Sequence, residues 1–246
     1  MDKISIIVPC WNEEAALPIY YKEMSRIIGQ MDTDFELIFV DDGSADKTLE
    51  EMKKLHEIDA RCRYLSFSRN FGKESAMIAG LSYARGEASV IIDCDLQHPP
   101  EKIVEMYRLW EQGYKVVEGV KLSRGKEGIF HKWAAGIFYD LISKATSIDM
   151  RNASDFKLMD RTVVDTILKM PEKQFFFRAI SSWVGFRSTT VEFAVQERTE
   201  GVIISQIIII YLFSARCVCC GCNCDNHPVQ FLHPVPATLL PEADGT

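Results

Sequence analysis

Basic residues are outnumbered in this 246-residue chain: 28 Lys and Arg stand against 35 Asp and Glu, a net charge of −7. General nucleic-acid binding needs a basic face to meet the phosphates, so that role is excluded, although a local basic patch is not. No secretory leader is expected from the first residues. Met1-Asp2-Lys3 runs straight into a short apolar segment, without a basic start, a long apolar stretch and a small-residue cleavage site, so the chain is read as made and kept in the cytosol. The apolar stretch from Val202 to Phe213 is interrupted by Ser205 and Gln206 and falls short of the ~20 residues a membrane span requires. Paired cysteines are missing from the body, where Cys10, Cys62 and Cys94 stand far apart and fit reduced thiols. No repeat or flexible linker breaks the chain before Gly201.

What is present is a β-α alternation. Ile4 to Val8 is a β-branched run stopped by Pro9, and Leu17, Tyr20, Met24, Ile27 and Ile28 then recur at helical spacing. Phe35 to Val40 repeats the strand signal, and Thr48 to Ile58 repeats the helix. Tyr64 to Phe67 leads into a helix from Glu74 to Ala84, and Ser89 to Ile92 leads into Asp93. Beyond Pro100 the pattern predicts a helix to Gln112, a strand at Val116 to Val120, and a long helical stretch from Ile129 to Ala145. Helices at Val163 to Met170 and Phe175 to Val184 and a strand at Thr189 to Val195 follow less regular sequence. Short apolar strands alternating with helices imply an α/β fold with a doubly wound, mostly parallel sheet, whose ligands sit at the strands' C-terminal ends. All the polar clusters fall at those ends: Pro9 to Glu13, Asp41 to Ser44, Ser68 to Lys73 and Asp93 to Gln97.

Asp93-Cys94-Asp95 places two carboxylates at a strand tip, with the Gln97 carbonyl two residues on. Hard oxygen ligands suit Mg2+ or Mn2+, ions that complete their shell with substrate phosphates. Asp-x-Asp is common and serves equally as a helix cap; its position beside three other polar loops favours a metal. In Asp41-Asp42-Gly43-Ser44, Ser44 and Asp46 are read as helix caps; two adjacent carboxylates exceed what a cap needs, and one can accept hydrogen bonds from a base or ribose. Lys73, at a helix start, is placed to contact phosphate, but the default reading is an exposed lysine. Lys121, Arg124, Lys126, His131 and Lys132 form a basic segment, either a solvated face or a clamp for a diphosphate or lipid phosphate.

Five segments occur in a fixed order: Val8 to Glu14, Asp41 to Asp46, Ser68 to Glu74, Asp93 to Pro100, and Asn152 to Arg161. Together they resemble family 2 glycosyltransferases of the dolichyl-phosphate mannosyltransferase and bactoprenol glucosyltransferase kind, over residues 3 to 201. The resemblance implies a GT-A fold for a domain spanning 1–201. It implies that Pro9, Trp11, Glu13, Val40 and Asp42 hold the nucleoside, with Asp93, Cys94 and Asp95 also on the donor. It places the metal on Asp93, Asp95 and Gln97, and sets Arg124 and Arg198 against the diphosphate or leaving charge. Asp155 matches the position of the catalytic base. Phe175 to Arg178 and Trp183 to Phe186 match segments near the acceptor, while the plain reading of those aromatics is core. The partners implied are a nucleotide-sugar donor, UDP-glucose ahead of GDP-mannose and UDP-N-acetylhexosamine, and a polyprenyl phosphate at the cytoplasmic membrane surface. A glycan hydroxyl acceptor and an inactive nucleotide-sugar-binding remnant are the alternatives; a homo-oligomer is left open.

The likeness stops at Gly201. The family continues with a Ser-Lys-aromatic segment and, in many members, two membrane helices; Ile204 stands where its phosphate-binding lysine is expected. Residues 202–246 carry only Arg216, Asp225, Glu242 and Asp244 as charged groups and crowd five cysteines between Cys217 and Cys224. Their Cys-x-Cys-Cys-x-Cys-x-Cys spacing lacks the two separated pairs of ordinary zinc modules. The abrupt shift reads as a changed frame or foreign end. The tail is expected to add no catalytic group and to be poorly ordered past Phe213.

Overall fold

The computed structural model describes residues 3–31, 33–121, 154–170, 177 and 184–194. Among these, β1 (Lys3–Cys10), β2 (Asp34–Asp41), β3 (Cys62–Ser66) and β4 (Ala88–Ile91) alternate with α1 (Ala16–Ile28), α2 (Thr48–Ile58) and α3 (Lys73–Tyr83). Then come α4 (Lys102–Glu111), β5 (Val116–Lys121), β6 (Lys157–Asp160), α5 (Arg161–Leu168) and β7 (Ser188–Phe193). The strands form one seven-stranded sheet in the order β3-β2-β1-β4-β6-β5-β7. β6 runs antiparallel to both of its neighbours, and the other pairings are parallel.

The strand residues sort onto two faces because successive side chains point oppositely. Ile4, Ile6 and Val8 of β1 face a core with Leu17, Tyr20 and Met24 of α1, Met52 and Leu55 of α2, and Ile103 and Met106 of α4. Ile7, Ile38, Val40 and Ile91 face Ala76, Met77 and Leu81 of α3 and Val163, Val164 and Ile167 of α5. The sheet is thus covered on both sides, as apolar parallel strands require. α3 lies so close that a Cβ on Gly80 would come within 2.3 Å of Ile7 Cγ2, which is why that helix position carries no side chain.

The sheet order creates the crevice. After β1 the chain winds outward through β2 and β3, then returns to place β4 on the other side of β1. Crossovers from β1 and β4 therefore leave in different directions, opening a gap at their C-terminal ends, where α/β sheets bind ligands. At the opposite end, Glu36 is buried among Ser5 Oγ (2.6 Å), Arg63 (2.9 Å) and the Arg85 N–H (2.8 Å), a structural network remote from the crevice.

Among the described residues the expected elements agree with this fold apart from one strand. Lys157–Asp160, read as irregular sequence, is β6, inserted between β4 and β5. The expected helices at 129–145 and 175–184 lie outside the described residues except for Phe177 and Val184, and the basic segment from Arg124 to Lys132 and the whole tail lie outside them entirely. Among the described residues no helix is long and apolar enough to cross a membrane.

Candidate active site

Three loops at the crevice are tied to one another. Asn12, at φ 55°, turns the chain after β1; its N–H donates to Ser44 Oγ (2.9 Å), and its Oδ1 accepts from Ala45 N–H (2.9 Å). The N–H of Glu13 donates to Thr48 Oγ1 at 2.8 Å. Ser44 is therefore a brace for the β1 loop rather than a helix cap; the cap position of α2 is Lys47, without a side-chain cap bond, and Asp46 just before it accepts from Thr48 N–H at 3.0 Å. Asp41 accepts from Ser44 N–H (2.9 Å) and Ser66 Oγ (2.8 Å) and so serves structure. Asp42 accepts from the N–H groups of Phe71 (2.7 Å) and Gly72 (2.9 Å) and anchors the loop that leads into α3. Burial raises the pKa of Asp42, and those two N–H groups offset it only in part. Gly43 sits at φ +66° with a virtual Cβ 2.2 Å from the Arg69 carbonyl carbon, so only glycine allows the two loops to meet.

The anchored loop delivers Lys73 to the middle of the crevice. Its Nζ lies 2.6 Å from Asp93 Oδ1 and 3.0 Å from Asp155 Oδ2. The lysine is thus no solvated default but a bridge between carboxylates that come from β4 and from the segment entering β6. Burial opposes the ammonium, yet Asp93 and Asp155 outweigh it and hold the Lys73 pKa above its ordinary value. Burial likewise pushes Asp93 up, and Lys73 followed by His98 brings it below the usual carboxylate range.

The other oxygen of Asp93 faces His98, whose Nδ1 lies 3.7 Å from Oδ2. Leu96, at φ 57°, reverses the chain so that His98 folds back over the pair, and Asp95 Oδ1 accepts from Gln97 N–H at 3.1 Å. The imidazole is 5% exposed and packs between the rings of Phe156 and Phe193, each centroid 5.2 Å away. Burial lowers its pKa against the pull of Asp93, which keeps the ring neutral at pH 7. Ligand atoms of Asp93, Asp95 and His98 all lie within 4.8 Å of one another, a spacing one cation can span. The residues therefore fit a divalent metal: two carboxylates, a neutral imidazole, and a neighbouring ammonium confined to the far oxygen of Asp93.

The model of the family described as glycosyl transferase family 2 matches residues 5–168, which takes in every loop of this crevice. The chain belongs to that family. It is 44% identical over 198 residues to an uncharacterized glycosyltransferase of Bacillus subtilis, YkcC, covering 80% of this chain and 61% of that protein. It is 40% identical over 200 residues to a prophage bactoprenol glucosyl transferase homolog of Escherichia coli K12, covering 81% of this chain and 65% of the other. The chain thus spans about two thirds or less of the length of these relatives. Among solved structures it resembles glucosyl-3-phosphoglycerate synthase from Mycobacterium tuberculosis, crystallised with Mn2+ and UDP-glucose, at TM-score 0.57 and 19% identity over 88% of this chain and 79% of the other. That likeness is one of fold, and the fold is GT-A.

Of the residues expected from sequence, Asp93, Asp95 and Asp155 are drawn together, with Gln97 beside them. Trp11 and Glu13 stand half-buried in the β1 loop, and Pro9 pairs with Val40 across the β1–β2 ladder. Val40 and Cys94 turn their side chains into the core, so neither offers its side chain to the crevice. Burial pushes the thiol of Cys10, the hydrogen-bonding neighbour of Cys94, well above its usual range. Arg124 and Arg198 lie outside the described residues. Two site residues were not assigned their role from sequence: Lys73, whose partners are remote in the chain, and His98. The spacing Asp93-x-Asp95-x-x-His98 was a visible signal for the second.

Proposed function

We propose that this chain is a metal-dependent inverting glycosyltransferase that moves a hexose from a nucleotide sugar, UDP-glucose first among donors, to a polyprenyl phosphate at the cytoplasmic membrane face. The observation that carries the reading is the Asp93, Asp95 and His98 cluster at the switch point of a GT-A sheet, with Lys73 and Asp155 against it. The bactoprenol glucosyl transferase names of relatives at about two fifths identity support the acceptor. The UDP-glucose and Mn2+ in the mycobacterial structure support the donor and metal class.

In this reading Trp11, Glu13 and the loop anchored by Asp42 receive the nucleoside, with backbone contributed at Pro9, Val40 and Cys94. Asp93, Asp95 and Gln97 hold Mg2+ or Mn2+, which supplies charge stabilisation for the departing nucleoside diphosphate. Arg124 and Arg198 add positive charge on the same leaving group. A phosphate oxygen of the acceptor forms the new bond to the anomeric carbon as the bond to the nucleoside diphosphate breaks, with inversion. A phosphate monoester has a second pKa of about 6 and arrives largely ionised. It needs no strong base. Asp155, tethered through Lys73 to Asp93, orients the acceptor.

A panel of UDP-glucose, GDP-mannose and UDP-N-acetylhexosamine, each with polyprenyl phosphate and Mn2+, tests the reading. The expected product is polyprenyl-phosphate glucose, lost on chelation. Transfer to glycan hydroxyls instead, or donor binding with no turnover on any acceptor, would overturn it.

A further inference from the structure

We infer that His98 Nδ1 is a direct nitrogen ligand of the divalent cation, and that it biases the site toward Mn2+ over Mg2+. The inference rests on the metal-dependent reading above and adds to it a ligand and a selectivity.

His98 is 5% exposed, and its Nδ1 is buried with no hydrogen-bond partner among the described residues. A desolvated ring nitrogen without a partner is unfavourable and rare in folded proteins. The described residues around it offer no structural use for it. Phe156 and Phe193 hold the ring by its faces and edges, which positions the imidazole without engaging the nitrogen. Among the described residues the nearest acidic atom is Asp93 Oδ2 at 3.7 Å, beyond hydrogen-bond reach.

That separation suits a shared ion. With ligands about 2.1 Å from a cation in octahedral geometry, neighbouring ligand atoms stand about 3.0 Å apart and opposite ones about 4.2 Å. The 3.7 Å gap falls between these values, and the 4.8 Å limit of the whole cluster needs a closure of under about 1 Å to meet them. Asp93 divides its oxygens accordingly, Oδ1 to Lys73 and Oδ2 toward His98. The cation can thus be bound without expelling the lysine. The tautomer with its proton on Nε2 presents the Nδ1 lone pair.

Selectivity follows from donor type. Mg2+ is held by oxygens and gives up its waters reluctantly, whereas transition-metal ions accept imidazole readily. One nitrogen in an otherwise oxygen shell therefore penalises Mg2+ more than Mn2+. Gln97, expected from sequence to supply a carbonyl oxygen, is compatible with this set.

The test is pulsed electron paramagnetic resonance of Mn2+ bound to the full chain without nucleotide, using protein labelled with 15N at histidine. The expected result is a histidine-nitrogen coupling of the directly bonded kind, absent from His98→Gln. A competition titration should show the preference for Mn2+ over Mg2+ falling in His98→Gln by at least the roughly tenfold that loss of an outer-shell partner costs. Mn2+ bound without a histidine coupling in the wild type would overturn this inference and leave the metal-dependent reading standing. Failure to bind Mn2+ at all would overturn both. The wild-type spectrum decides the matter even where the variant does not fold.

Discussion

Lys73→Met removes the ammonium that bridges Asp93 and Asp155 while keeping an unbranched side chain of similar length. Two charge-assisted contacts are lost, at 2.6 and 3.0 Å. Contacts of this kind contribute about 1.5–3 kcal/mol each. The lysine side chain is 39% exposed, so solvent screens part of that, and two contacts sharing one charge do not add. A loss of about 2 kcal/mol follows, which lowers Tm by about 4–8 °C for a domain of this size. The sign reverses for metal. In the wild type a cation at Asp93 and Asp95 meets an ammonium already on Asp93, a repulsion of a few kcal/mol at an effective dielectric near 20. In the variant that repulsion is gone, and the cation neutralises both carboxylates. Differential scanning fluorimetry with and without Mn2+ should show a less stable metal-free variant and a larger Mn2+-induced rise in Tm than in the wild type. Equal metal-free stability, together with equal Mn2+ shifts, would refute the bridging role.

Two further outcomes are expected. Asp155→Asn should retain measurable turnover at pH 8 with a polyprenyl phosphate acceptor, whose oxygen is already ionised, as followed by product formation; complete loss with acceptor binding intact would contradict an orienting role. Asp160, which accepts from Trp110 Nε1 (2.8 Å), Lys115 Nζ (2.9 Å) and Thr162 N–H (3.0 Å), has its pKa lowered to about 2: burial raises it, but the Thr162 hydroxyl, Lys115 and Trp110 outweigh that. Its folded pKa lies below the unfolded value of about 3.9, so its contribution, of order 2 kcal/mol, is present above that value and is lost as pH falls toward 2. Urea unfolding of Asp160→Asn and wild type should differ at pH 7 and converge near pH 2; a gap independent of pH would refute the assignment.

The β-α alternation was legible because β-branched runs such as Ile4 to Val8 and the helical spacing of Leu17, Tyr20 and Met24 are local signals, and the sheet buries both faces of the one and one face of the other. The site loops were legible for the same reason, since strand ends in such a sheet converge on the switch point. β6 was not. Lys157-Leu158-Met159-Asp160 has no β-branched residue and begins with a fully buried lysine that Glu118 of the neighbouring strand meets at 2.8 Å. Nothing near Lys157 in sequence announces that partner. Lys73 was missed on the same ground, because an exposed-looking lysine becomes a bridge only when the sheet brings Asp93 and Asp155 to it. Gly43 received no role from sequence, because its constraint is the backbone of Arg69 in another loop.

The central claim, a metal-assembled donor site on Asp93 and Asp95, is tested most directly by calorimetric titration of UDP-glucose into wild type and Asp95→Asn, each with and without Mn2+. The wild type should bind the donor more tightly with Mn2+ than without it, and Asp95→Asn, which keeps the shape but loses a charged oxygen ligand, should show little or no gain. Equal donor affinity for the two proteins under both conditions would contradict the account.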